Sequence, residues 1–197
     1  FAAEPHSYDG YVASGGTEAN IEALWIYRNF YFQEHQAKMS EIAVVYSADT
    51  HYSIPKALDL LHLKGIELEV DQISRQILIK DFEQKIETAL AKGVKYFIIN
   101  INMSTTMFGS VDDIDSITSF LNLLHINYKL HIDGAYGGFI FPFTNTTNSF
   151  NFKNKNITSF SIDGHKMLQA PYGTGIFLIR KEYMKYVCTN EAGYVKG

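Results

Sequence analysis

Four short stretches of this chain carry residue types that could do chemistry. Ser161-Ile162-Asp163-Gly164-His165-Lys166 sets a lysine directly after a histidine. Lysine becomes a nucleophile when burial or a cationic neighbour lowers its pKa; in a polar loop it is otherwise a solvated charge. His131-Ile132-Asp133-Gly134-Ala135-Tyr136-Gly137-Gly138 ends an apolar run on an acid and follows it with small residues. A buried carboxylate is costly alone, so Asp133 needs a metal, a backbone cap or a protonated ring nitrogen. The small residues leave room for something flat beside it. His131 is expected to alternate to the other face of the strand, which weighs against a metal site. Asp49-Thr50-His51-Tyr52-Ser53 offers a histidine that could stack on a flat ring or move protons; a plain surface histidine is the alternative. Ser14-Gly15-Gly16-Thr17-Glu18-Ala19-Asn20 leads into a helix. Glycines let backbone approach a ligand, and free N–H groups at a helix start suit a phosphate, with Thr17 adding a hydroxyl. A capped helix after a glycine turn would read the same way. The stretch fits neither the Walker nor the dinucleotide glycine pattern.

These residues need elements to position them. Apolar spacing predicts a helix over Thr17–Gln36, with Thr17 as its N-cap and Ile21, Leu24, Trp25, Tyr31 and Phe32 near one face. Further helices are expected over Ile54–Leu63, Asp81–Lys92 and Asp112–Leu124, the last preceded by Ser110 and Asp113 at capping-box spacing. Strands are expected at Ile42–Tyr46, Glu67–Val70, Gln76–Ile79, Val94–Ile101, Lys129–Asp133, Thr158–Ser161 and Gly175–Ile179. Thr144–Asn156, rich in Asn, Thr and Lys, reads as a surface loop. Alternation of strands and helices implies an α/β fold with a mostly parallel sheet and helices on both faces. Ligands in such folds bind beyond the carboxyl ends of strands, where the four stretches fall.

Bulk properties narrow the class. The 197 residues are 46% hydrophobic with a formal charge of -4, ordinary for a globular domain and unlike a broad nucleic-acid binder. No apolar run reaches the ~20 residues of a membrane span. Cys188 is the single cysteine, which excludes an internal disulfide and suits a reducing cytosol. The chain opens on Phe1 and ends at Gly197 without an evident stop. We expect residues 1–197 to form one large domain of a longer protein, without its N-terminal segment and C-terminal small domain.

Taken in order, the four stretches resemble the group II pyridoxal-phosphate (PLP) dependent amino-acid decarboxylases, which include glutamate, histidine and aromatic amino-acid decarboxylases. The resemblance runs from about Tyr11 to Lys181. It implies PLP transferase fold type I, the aspartate aminotransferase-like large domain. Gly16 and Thr17 match the phosphate loop, and His51 matches the histidine stacked on the pyridine ring. Thr105 matches a threonine near the ring, although Ser104 stands where the family has glycine. Asp133 matches the partner of the pyridine nitrogen, and Ala135 the small residue packed by the ring. Ser161 and His165 match polar residues around the phosphate and the lysine. Lys166 matches the Schiff-base lysine, and Asp163 stands where many members have Asp or Asn.

The resemblance implies decarboxylation of an L-amino acid to its amine, with Lys166, His51 and Asp133 as catalytic residues, PLP as cofactor and no metal. It also implies a homodimer that completes the active site at the subunit interface. Asp-Thr-His-Tyr-Ser resembles a histidine and serine branch, whereas the segment after His131 resembles the glutamate branch. A histidine- or glutamate-like substrate is therefore expected. Other reactions on the same fold stay open: aminotransfer, cysteine desulfuration, carbon–carbon lysis of the sphingosine-phosphate type, or a non-catalytic role.

Overall fold

The structure, a computed structural model, describes residues 2, 4–144 and 149–188. Its centre is a seven-stranded sheet formed by β1 (Tyr8–Ala13), β2 (Ile42–Ser47), β3 (Lys64–Leu68), β4 (Tyr96–Asn102), β5 (Asn127–Asp133), β6 (Ile157–Asp163) and β7 (Gly175–Arg180). The spatial order is β1-β7-β6-β5-β4-β2-β3. β2 to β6 pair in parallel, and β7 pairs antiparallel with both β6 and β1. β7 alone thus runs against the others. The mostly parallel α/β sheet expected from the alternation of elements is present.

Side-chain alternation divides the apolar residues of each strand between two cores. Ile42, Val44 and Ile98 face α1 (Gly16–His35) and α2 (Ser53–Leu61). Ala43, Val45, Phe97 and Ile99 face the other layer, with α3 (Ile79–Ala91) and α4 (Ile114–Leu123). α1 is buried on more sides than one stripe predicts. Ala19, Ala23, Ile26 and Tyr27 are covered, while Ile21 and Trp25 are only partly so.

Several local expectations are corrected. α1 starts one residue early, and Gly15, not Thr17, is its N-cap, with no side-chain cap. Asp113 itself caps α4, accepting from the Ser116 N–H at 3.1 Å, so Ser110 is not the cap. The Gln76–Ile79 strand is a single bridge, Val70 to Ile77, because Ile79 already opens α3. β1 was not expected; its mixed polarity suits a half-exposed edge strand. The Thr144–Asn156 segment is more than surface. Phe150 and Phe152 are buried, and Phe152 packs edge-on against Phe160 with ring centres 4.9 Å apart. Residues 145–148 of that segment lie outside the described residues. Among the described residues no helix is long and apolar enough to cross a membrane.

Candidate functional site

The loops after β1, β2, β4, β5 and β6 meet at the carboxyl edge of the sheet. They enclose a cleft of about 240 Å3 whose lining includes Gly16, Thr17, His51, Ala135, His165 and Lys166. A smaller recess beside it is lined by Thr105 and Asp133 and shares His51, Ala135 and Lys166. Residues far apart in sequence are thus brought together.

The start of α1 leaves backbone donors open toward the cleft. No side chain caps it, so its first N–H groups stay open. Glu18 would repel an anion there, but its carboxylate turns back to Ser14, taking the Oγ–H at 2.6 Å and the N–H at 2.9 Å. Those bonds hold its pKa below the ordinary value. At Gly16 a Cβ would sit 3.1 Å from both the Ala135 Cβ and Asp163 Oδ2, so loop and strand end approach closely and a side chain would need its neighbours to give by a few tenths of an ångström. Gly175 plays the same part on β7, where a Cβ would come within 2.6 Å of the Gly15 backbone.

Asp133 is held by neutral donors. The Asn20 Nδ2 donates to Oδ2 at 2.8 Å and the Ala135 N–H to Oδ1 at 3.1 Å. Among the described residues no cation lies within ion-pair distance of it. His131 is on the same face, not the opposite one as expected. Residues two apart on a strand share a face, and His131 joins Asp133 through Asn20, its Nε2 lying 2.9 Å from Asn20 Oδ1. Ser161 also differs from expectation. It is fully buried behind Asp133, with its hydroxyl on Asn20 Oδ1 at 2.5 Å, and does not line the cleft. Alternation along β6 turns Ser159 and Ser161 together toward α1.

Lys166 lies on the opposite wall, its Nζ 3.1 Å from Asp163 Oδ2. Asp163 Oδ1 is buried with no hydrogen-bond partner among the described residues. His165 Nδ1 donates to the Thr174 carbonyl at 3.1 Å, which leaves Nε2 toward Asp163 at 3.7 Å. His51 is fixed by Ser53, whose N–H and hydroxyl both face its Nδ1, at 3.3 and 2.9 Å. Burial, aided by the Lys166 charge and opposed by Asp133 and Asp163, pushes the His51 pKa below its ordinary value. Sequence reasoning missed Asn20 and Ser53.

Fold and cleft together define a class. An uncapped helix start, a recess lined by Ala135, a carboxylate with no cation beside it among the described residues and a lysine on one sheet edge suit a phosphorylated aldehyde, in the manner of fold type I PLP enzymes. The model of the pyridoxal-dependent decarboxylase conserved domain matches residues 2–196, and the chain belongs to that family. A tryptophan decarboxylase of Clostridium sporogenes (strain ATCC 15579) is 50% identical over 189 residues, covering 96% of this chain and 45% of that protein. A histidine decarboxylase of Solanum lycopersicum is 34% identical over 185 residues, covering 92% and 42%. The chain thus spans less than half the length of these relatives. A solved TDC of Oryza sativa with PLP and tryptamine superposes with a TM-score of 0.83 at 15% identity, covering 97% of this chain and 40% of that one. A sphingosine-1-phosphate lyase of Burkholderia pseudomallei gives 0.79 at 20% identity, covering 94% and 41%. These likenesses show the fold. PLP is the cofactor of this family, and the residues present fit it: Lys166 lines the cleft to meet an aldehyde, Asp133 in the adjoining recess has no cation beside it among the described residues and can take a ring N–H, and the start of α1 leaves donors for an anion.

Proposed function

We propose that this chain is the cofactor-binding large domain of an enzyme that uses PLP to decarboxylate an L-amino acid with a flat ring side chain, tryptophan first and histidine second. The carrying observation is the convergence of Lys166, Asp133, His51 and the uncapped start of α1 on one cleft. The 50% identity to a tryptophan decarboxylase moves weight from the glutamate-like alternative to an aromatic one.

PLP when bound supplies an electron sink for the pair left as the α-carboxylate departs. The chain's residues do the rest. Lys166 Nζ would hold the cofactor covalently and give it up to the substrate amine. Asp133 would accept a hydrogen bond from the protonated ring nitrogen and keep that proton in place. His51, neutral at physiological pH, would pack on the ring, with its Nε2 left to serve the reacting centre. Gly16, Thr17 and the first turn of α1 would bind the phosphate, and Thr105 and Ala135 would bound the slot.

Large exposed rings that line the cleft support a second copy as cover: Tyr52 is 63% exposed and Tyr172 96%. We expect the full-length protein to sediment as a dimer.

The test is to incubate full-length protein and PLP with tryptophan, histidine, tyrosine and glutamate and to measure CO2 and amine. Tryptamine from tryptophan is the expected main product. CO2 from none of them overturns the reaction, and CO2 from glutamate alone overturns the substrate class.

A further inference from the structure

We propose that Asn20 is the central positioning residue of the site, its amide holding Asp133 directly and His51 through Ser53, with His131 fixing which way that amide faces. This rests on the reading of the cleft as a PLP site.

The hydrogen-bond directions can be worked out from the ends inward. Tyr27 is fully buried and its hydroxyl donates to Ser159 Oγ. Burial holds that phenol protonated far above its ordinary range. The Ser159 proton is then free to go to His131 Nδ1, 2.6 Å away. Nδ1 therefore accepts, and the proton of the ring sits on Nε2, which donates to Asn20 Oδ1 at 2.9 Å. A doubly protonated ring would leave Ser159 facing two donors with no acceptor for its own proton. Burial agrees, pushing the His131 pKa down to about 3.

With Oδ1 taken by His131 and Ser161, the Asn20 amide can face only one way. Its two Nδ2 protons go to Asp133 Oδ2 and Ser53 Oγ, both at 2.8 Å. Ser53, having accepted from Asn20, donates its own proton to His51 Nδ1. The Ser53 N–H, which can only donate to Nδ1, requires the same Nε2–H form of neutral His51. One amide thus helps set the plane of the carboxylate and, through the Ser53 hydroxyl, reinforces the ring orientation that the Ser53 N–H also holds. Every donor in the chain is neutral, so Asp133 is oriented without its charge being cancelled. A cationic histidine in place of neutral His131 would weaken the pull of Asp133 on a ring proton.

The experiment uses the full-length protein with PLP, comparing wild type with Asn20→Ala, His131→Leu and His131→Gln. The readouts are cofactor Kd, the pH midpoint of the cofactor's visible absorbance, kcat and KM separately, and apoprotein Tm. Asn20→Ala is expected to weaken cofactor binding about tenfold, by analogy with the loss of other outer-shell orienting groups. It should also move the absorbance midpoint by about one pH unit. Its kcat should fall while KM changes little. His131→Leu should shift the midpoint the same way. His131→Gln, which can still donate to Asn20, should restore much of the wild-type midpoint. If Asn20→Ala does not fold, Ser53→Ala and His131→Leu cut the two arms separately, and each must still shift the midpoint. Unchanged midpoint and Kd in Asn20→Ala and His131→Leu, or in the two single-arm variants, whatever their Tm, overturn the proposal while leaving the PLP reading intact. A wild type that takes up no PLP overturns the PLP reading itself.

Discussion

Lys166 is one side chain with two possible partners, and which one it holds can be measured. Without an aldehyde its Nζ rests 3.1 Å from Asp163, a contact any lysine in that loop could make. A Schiff-base role predicts more: borohydride in the presence of PLP should fix the cofactor to Lys166. Lys166→Ala should lose that label and at least roughly 1,000-fold in kcat, about 4 kcal/mol of barrier. A variant with near-normal turnover contradicts the role. His51 gives a second prediction. Its pKa is held below 6.5, mainly by burial, so the ring is neutral through physiological pH. The acid limb of kcat/KM should lie below pH 6.5, and a limb at or above pH 7 would contradict a neutral working form. Lys166, His51 and Asp133 were legible in sequence because each directly follows or ends a recognisable strand. Asn20 was not, because it sits one turn into a helix and reads as an ordinary helical residue. Its spacing with Gly16, Ala23 and Tyr27 puts it on the sheet-facing stripe. A polar residue on a buried stripe was the available signal.

At the level of elements, the sequence conveyed strand and helix identity well wherever apolar spacing was regular. It failed where tertiary contact decides. β1 is held at an edge by β7, with too little apolar alternation to announce itself. Phe150 and Phe152 lie in a stretch whose composition is polar and whose backbone is irregular, yet both rings are buried in the same core. The uncapped start of α1 was misread as a Thr17 cap, and that error conceals its use. Free N–H groups there are open to an anionic ligand where a capping side chain would have occupied them. Gly16→Ala tests this element. Its Cβ would press on Ala135 and Asp163 at 3.1 Å, so the loop or these neighbours must give by a few tenths of an ångström at the cleft. We expect PLP affinity to fall about tenfold with the helix intact, since each lost or lengthened charge-assisted bond is worth about 1.5 kcal/mol. Titration by fluorescence checks the affinity and circular dichroism the fold. Unchanged affinity would separate the α1 start from phosphate binding.

For the molecule as a whole, the network behind the site should be visible in how stability depends on pH. His131 has a folded pKa of about 3, against an ordinary value near 6.5 in the unfolded chain. The folded state therefore refuses a proton that the unfolded state takes up. Its contribution is fully present above pH 6.5 and is lost as pH falls, by about 2 kcal/mol between pH 7 and 5. Asp112 has the opposite sign. Burial raises its carboxyl to about 6, so the folded state binds a proton before the unfolded one does. That adds stability as pH falls from 6 toward the ordinary carboxylate range, by about 1 kcal/mol at pH 5. In wild type the Asp112 gain offsets about half of the His131 loss over this window, so stability falls toward pH 5. His131→Gln removes only the first. Its stability at pH 7 should be lower, because a fitted buried ring is lost, but it should hold or rise toward pH 5 where wild type declines. Urea unfolding of both proteins at pH 7 and pH 5 gives the comparison. Every other titrating group is shared, so the difference between the two slopes isolates His131. Parallel slopes would mean that His131 carries a second proton in the folded state at pH 5, and the Ser159–His131 hydrogen bond would have to be reversed, with Nδ1 donating.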